Sequence, residues 1–170
     1  IYLKTFLIIK KILIIYYSHL KHTSVIAKYL HALTGGDIIS LETEKPYAKN
    51  YFAALIPAWL DIITGKKREL KSIPDISKYD IIFAGAPVWW LTVPPPLMSF
   101  LSKKDFSGKI MIPFCTSGGN TGRFFKNFKK NSKGAEVLEG ISFTRKDFKD
   151  PDKMRDRLQT WLSEIIKENL

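Results

Sequence analysis

The sequence predicts an α/β domain built on an open, doubly wound parallel sheet of five strands, with helices on both faces. Apolar runs such as KILIIYY at 11–17 are typical of strands buried on both faces. They alternate with stretches of helical period, which indicates parallel strands joined by crossover helices. A closed barrel of eight such units needs about 250 residues, and this chain has 170.

The run at 11–17 is the first predicted strand. The first helix follows, with apolar residues from Val25 to Leu33 recurring on one helical face. Gly35 and Gly36 end it, because glycine readily takes the left-handed backbone of a helix C-terminus. Residues 37–42 then read as the second strand.

Residues 45–75 are the least regular part of the pattern. A helix is predicted from about residue 48, with Pro57 at a kink or boundary. The third strand is clearer, because Ile81–Ala86 is a continuous apolar run that Pro87 ends.

The remaining strands and helices alternate to the C-terminus. Strands are predicted at 109–115 and around 135–143, and helices at about 95–103 and 122–131. The last helix has the clearest start, with Asp150 as N-cap and Pro151 at the first helical position.

Residues 11–170 are predicted to form one domain, preceded by an extension of unknown role at 1–10. The extension resembles neither a membrane span nor a signal peptide, since lysines interrupt it. The chain starts at Ile1, so it is read as either a fragment or a processed product. A single cysteine, Cys115, excludes an internal disulfide and fits a cytoplasmic location. Neither a metal site nor a catalytic acid or base is predicted.

Ligands of doubly wound sheets bind beyond the carboxyl ends of the strands. Three loops therefore matter most for function: SHLKHTS (18–24), PVWWLTVPPP (87–96) and TSGGNTG (116–122).

The loop at 18–24 leads into a helix and offers hydroxyls, basic side chains and free backbone N–H groups. Such a loop favours an anion, because unpaired amides and the helix dipole both attract negative charge. An equally open alternative is that Thr23 is only an N-cap and the rest is solvated.

The loop at 87–96 carries two adjacent aromatic residues, Trp89 and Trp90. We expect one of them to pack into the core and the other to face a flat apolar ligand. In the loop at 116–122, Gly118 and Gly119 allow a close approach of backbone to ligand.

These three segments resemble the flavodoxin family, from about Lys11 to the C-terminus. The motifs carrying the resemblance are P-x-W-W in the second loop and F-x-T-x-G-G in the third. Leu20 and Lys21 depart from the family's first loop, and Leu91 stands where many relatives have glycine. The resemblance implies the strand order 2-1-3-4-5.

The resemblance also implies non-covalent flavin mononucleotide (FMN). Its phosphate would lie on the side chains of Ser18, His22 and Thr23 and on the backbone of Leu20 and Lys21. One side of the flavin ring would be lined by Pro87, Val88, Trp89 and Trp90. The other side would be lined by Thr116, Ser117, Gly118 and Gly119.

The function expected from this site is electron transfer between a reduced donor and an acceptor, with a redox protein or NAD(P)H as partner and a homodimer as a further expectation. Two alternatives stay open: an NAD(P)H-dependent flavin or quinone-type reductase, and a basic domain that binds polyanions without redox activity. The net charge of +11 favours anionic partners. No nucleic-acid motif accompanies it, so specific nucleic-acid binding is not expected.

Overall fold

Strands and helices alternate along the chain in the computed structural model, which describes residues 10–169. The predicted extension therefore lies outside the described residues except for Lys10. The strands are β1 (Ile12–Tyr16), β2 (Asp37–Ser40), β3 (Ile81–Pro87), β4 (Ile110–Ser117), β5 (Glu136–Val137) and β6 (Ile141–Thr144). The helices are α1 (His22–Thr34), α2 (Tyr51–Ile63), α3 (Pro95–Ser102), α4 (Phe124–Asn131) and α5 (Pro151–Asn169).

All strand pairs are parallel, and the order β2-β1-β3-β4-β5 confirms the predicted sheet. The strand expected around 135–143 is instead two short strands that share the fifth position, because β5 pairs with the start of β4 and β6 with its end. Met111 accepts a hydrogen bond from Leu138 N–H (3.0 Å), so alternate residues of β4 face the fifth position. Pro113 comes two residues later and has no N–H to offer, which explains the interruption.

The sheet has a separate hydrophobic core on each face. One core contains Ile12 and Ile14 of β1 together with α1 and α5. The other contains Leu13 and Ile15 together with α2, α3 and α4. This alternation is what a strand buried on both sides requires.

The helix ends agree with the predicted capping residues. Gly35 takes φ 70° and its N–H donates to His31 C=O (2.8 Å). Asp150 Oδ1 accepts from Lys153 N–H (3.2 Å), and α5 begins at Pro151. Pro57 lies inside α2 and does not end it. None of the helices between residues 10 and 169 has the length and apolar content that crossing a bilayer requires.

Candidate functional site

A cavity of about 290 Å³ lies at the carboxyl ends of β1, β3, β4 and β6. Loops that are far apart in the sequence meet there, as expected for a parallel sheet. Its lining residues are His19, Leu20, His22, Thr23, Tyr51, Pro87, Val88, Trp89, Thr116, Ser117, Gly118, Thr144, Arg145 and Phe148.

The first loop turns into α1 through Lys21, which has left-handed backbone (φ 66°). Lys21, and not Thr23, is the N-cap, and its side chain makes no capping hydrogen bond. Ser24 N–H donates to Ser18 Oγ (3.3 Å). The earlier N–H groups of the first turn, at His22 and Thr23, face the cavity end of the helix, where an anion is favoured.

A buried hydrogen bond joins the first and third loops. The hydroxyl oxygens of Thr23 and Thr116 are 2.9 Å apart, and both side chains are buried. If Thr116 donates to Thr23, the hydroxyl hydrogen of Thr23 is free to point into the cavity.

The two tryptophans of the second loop have different environments. Trp89 is fully buried, in edge-to-face contact with Tyr17, His19 and Tyr47 at ring distances of 5.7, 5.5 and 5.0 Å. The expectation that one tryptophan packs into the core is therefore confirmed. Its Nε1 has no hydrogen-bond partner among residues 10–169.

Trp90 does not line the cavity and is 49 % exposed. Its Nε1 donates to Leu55 C=O (2.8 Å) in α2. Trp90 and Leu91 both have positive φ, 51° and 58°. This conformation costs roughly 1–2 kcal/mol at a residue with a β-carbon, so the loop tip is strained.

We expect Leu91→Gly to be about 1 kcal/mol more stable than Leu91→Ala, because only glycine takes this backbone without steric cost. Urea unfolding of both variants measures the difference. At Ala32, an exposed position of α1, glycine is expected to be the worse residue by about 1 kcal/mol relative to alanine. A preference for alanine at both positions would contradict the left-handed conformation of Leu91.

A fourth loop, after β6, also reaches the cavity. Asp147 fixes it, since its Oδ2 accepts hydrogen bonds from Thr144 N–H (2.6 Å) and Thr144 O–H (2.8 Å). Arg157 Nη1 donates to Asp147 Oδ1 (3.1 Å). Burial alone would raise the pKa of Asp147, but these hydrogen bonds and the arginine charge lower it. The carboxylate therefore stays ionised near neutral pH.

The cavity brings together most of the predicted site residues. Those that line it are Leu20, His22, Thr23, Pro87, Val88, Trp89, Thr116, Ser117 and Gly118. Those that do not line it are Ser18, Lys21, Trp90 and Gly119.

The cavity also contains residues that were not predicted: His19, Tyr51, Thr144, Arg145 and Phe148. Phe148 packs edge-on against His22, with 4.7 Å between ring centres. Arg145 belongs to a basic stretch that reads as solvated surface. The sequence did contain a signal for this loop, because it follows the strand predicted around 135–143, just as the other three loops follow predicted strands.

Cys115 lies in β4 beside the third loop and is fully buried. Burial raises the pKa of its thiol to about 12. It is therefore protonated and inert near neutral pH.

Comparison with known proteins identifies the fold. Two candidate flavoproteins, from Bacteroides uniformis and Bacteroides eggerthii, are 24 % and 26 % identical to this chain, with TM-scores of 0.78 and 0.75. The alignments cover 91 % and 92 % of this chain and 98 % of each of those chains. A flavoprotein of Lactobacillus acidophilus in complex with FMN is 24 % identical, with a TM-score of 0.66, over 85 % of this chain and 97 % of that one.

A search of curated proteins found no match. The sequence model of the flavodoxin family, in contrast, matches residues 11–165. This match covers nearly the whole chain and agrees with the strand order and with the loops at the cavity. The chain therefore belongs to the flavodoxin family.

Proposed function

We propose that this protein binds FMN non-covalently in the cavity and transfers electrons between a reduced donor and an acceptor. The observation that carries the proposal is the meeting of the loops after β1, β3 and β4 around the open N-terminus of α1. A bound flavin supplies the redox chemistry, and the chain's residues bind and orient it.

The phosphate is assigned to the first loop. Thr23 and His22 offer a hydroxyl and an imidazole, while Leu20 and Lys21 contribute backbone N–H groups. Ser18 supports this loop indirectly, because its Oγ accepts a hydrogen bond from Ser24 N–H. We add Arg145, because it lines the same cavity from the fourth loop and a guanidinium binds phosphate strongly.

The flavin ring is assigned to the space between the second and third loops. Pro87 and Val88 form one side, and Thr116, Ser117 and Gly118 form the other. Gly119 supports the second of these sides, since its φ of 129° is open only to glycine. Trp90 lies outside the cavity, so its contact with the ring stays a prediction.

Two unpaired polar atoms support a polar, heteroaromatic ligand. Trp89 Nε1 and His19 Nε2 are buried without partners among the described residues, and both residues line the cavity. Burial lowers the pKa of His19, although a hydrogen bond with the backbone of Lys49 opposes this. A neutral imidazole and an indole N–H can each bond to a ring heteroatom of the ligand.

Titration with FMN and with riboflavin tests the proposal. We expect FMN to bind, and binding to quench the fluorescence of the flavin or of the tryptophans. Riboflavin should bind more weakly because it lacks the phosphate. Protein that is purified without a yellow chromophore and that then binds neither FMN nor riboflavin would refute FMN binding.

Thr23→Ala is expected to weaken FMN binding about tenfold, which corresponds to one lost charge-assisted hydrogen bond. Thr23→Ser keeps the hydroxyl and should bind FMN nearly as tightly as the parent. Riboflavin affinity should fall less, because Thr23→Ala also removes the hydrogen bond to Thr116 but riboflavin has no phosphate contact to lose. If Thr23→Ala lowers the affinity for both ligands alike, Thr23 does not contact the phosphate.

The electron donor is tested by anaerobic mixing of the FMN-loaded protein with NADH or NADPH. We expect slow bleaching of the flavin, because a carrier receives electrons from a partner protein. Fast bleaching would favour the reductase. The homodimer and the cytoplasmic location stay predictions.

A further inference from the structure

The outward side of α2 is an exposed apolar surface. Phe52 and Ile56 are 76 % and 65 % exposed, and the other outward side chains are 42–57 % exposed. Four of these positions follow the helical spacing i, i+4, i+8, i+11, so they form one stripe. The exposed side chains of the stripe are Phe52, Ile56, Trp59, Leu60 and Ile63.

The stripe continues into the second loop of the cavity. Trp90 lies beside Trp59, with 6.4 Å between ring centres, and Leu91 follows it with 51 % of its area exposed. We call the five side chains of the stripe together with Trp90 and Leu91 the α2 face. Asp61 is the only carboxylate in α2, and it points inward to Tyr47 and Arg68. The α2 face therefore carries no charge.

Exposed cations lie at both ends of α2, and those at its C-terminal end line one cavity together with Glu44 and Glu69. Lys49 precedes the helix, and Lys66 and Lys67 follow it. Arg123 lies beyond Leu91, because its backbone N–H donates to Leu91 C=O (2.8 Å). The whole chain has a net charge of +11, so the long-range field around this surface also favours an anionic partner.

We propose that the α2 face docks this protein onto an anionic membrane surface. The apolar and aromatic side chains insert at the level of the lipid headgroups, and the lysines at both helix ends contact lipid phosphates. The helix lies on the membrane and does not cross it.

The properties of the α2 face favour this occupant over two others. A second copy docked through this same face would bring the lysines at the helix ends close to those of its partner, which their repulsion opposes. A protein partner needs a pocket shaped for each protruding side chain, whereas fluid lipid accommodates Phe52 and Ile56 without one. Docking would also bring the cavity near the membrane, because Tyr51 begins α2 and lines the cavity.

Flotation with lipid vesicles tests the proposal. The purified full chain is mixed, with and without added FMN, with vesicles of phosphatidylcholine alone or with about 30 mol % phosphatidylglycerol. We expect binding to the anionic vesicles, weakening as salt is added, and little binding to the neutral ones. Trp59 and Trp90 should shift to bluer fluorescence when they enter the lipid interface.

Two variants with matched controls locate the contact. Ile56→Glu is expected to lower vesicle affinity at least about tenfold, whereas Ala32→Glu adds the same charge on α1, across the sheet, and should have little effect. The double variant Lys66→Ala, Lys67→Ala should lower the affinity for anionic vesicles roughly tenfold to thirtyfold, because each lysine contributes about fivefold. Lys28→Ala with Lys167→Ala removes the same charge from α1 and α5, and the loss should be much smaller.

Other outcomes would overturn the proposal. Equal losses for each variant and its control would show that only the overall charge matters. A dimer in sedimentation that Ile56→Glu dissociates, without vesicle binding by the parent, would assign the α2 face to a second copy. A protein that is monomeric and binds neither kind of vesicle would refute membrane docking and would favour a protein partner for the α2 face. FMN affinity is measured in parallel, so a failure here is distinct from a failure of the cofactor assignment.

Discussion

Trp89→Ala is expected to lower the free energy of unfolding by about 3–5 kcal/mol, the usual cost of removing a large buried aromatic side chain. Trp89 is fully buried among Tyr17, His19 and Tyr47, and three rings lose their contact at once. Because small domains are stable by only about 5–15 kcal/mol, this variant is expected to lose a large share of the stability of the domain. Urea or thermal unfolding followed by circular dichroism measures the loss.

The neighbouring residue provides the control. Trp90→Ala removes the same side chain one position later, but the Trp90 indole is half-exposed and makes one hydrogen bond, to Leu55. We expect a loss of about 1 kcal/mol. Trp89→Phe, which keeps most of the buried volume, should fall between the two. Similar losses of stability at the two positions would contradict the burial of Trp89 and the exposure of Trp90.

Asp61→Ala is expected to cost about 3 kcal/mol, the second large effect. Asp61 Oδ2 accepts from Arg68 Nε (2.6 Å) and from Tyr47 O–H (2.8 Å), and its side chain is 6 % exposed. Removing the carboxylate leaves a phenol and a guanidinium without their acceptor inside the protein, which costs more than the pair itself contributes. Burial, with help from the hydrogen bond to Asp61, raises the pKa of Tyr47, so the phenol remains the donor.

An exposed ion pair is the matched control for Asp61. Glu42 and Lys71 are 2.7 Å apart, but their side chains are 62 % and 58 % exposed. Glu42→Ala should therefore cost less than about 1 kcal/mol. A double-mutant cycle of Asp61→Ala with Arg68→Met should show coupling of roughly 0.5–3 kcal/mol. Additive losses in that cycle would show that Asp61 and Arg68 do not stabilise each other.

The sheet could be predicted from the sequence because each strand leaves an independent mark. Continuous apolar runs are typical of strands buried on both faces, as in β1, β3 and β4, and glycine or proline marks boundaries such as Gly35 and Pro87. The split of the fifth strand could not be predicted, since it depends on whether the backbone position where Pro113 lacks an N–H faces β3 or the fifth strand position. Pairing register is a three-dimensional property that the apolar run does not contain.

The site was predictable at the level of loops and less so at the level of single residues. Parallel strands guarantee that the loops at 18–24, 87–96 and 116–122 meet. They do not reveal which of two adjacent tryptophans turns inward, because an irregular loop has no period to separate Trp89 from Trp90. Arg145 was missed for a related reason, since basic residues at a cavity and on a surface look alike in a sequence.

The hydrogen bond between Thr23 and Thr116 joins residues 93 positions apart in the chain. It is buried, so it forms as the domain folds and does not wait for a ligand. The first and third loops thus already hold a fixed spacing when a ligand arrives, and most of the entropy lost in ordering them is lost during folding. A preorganised site of this kind binds more tightly than one whose loops must be ordered by the ligand.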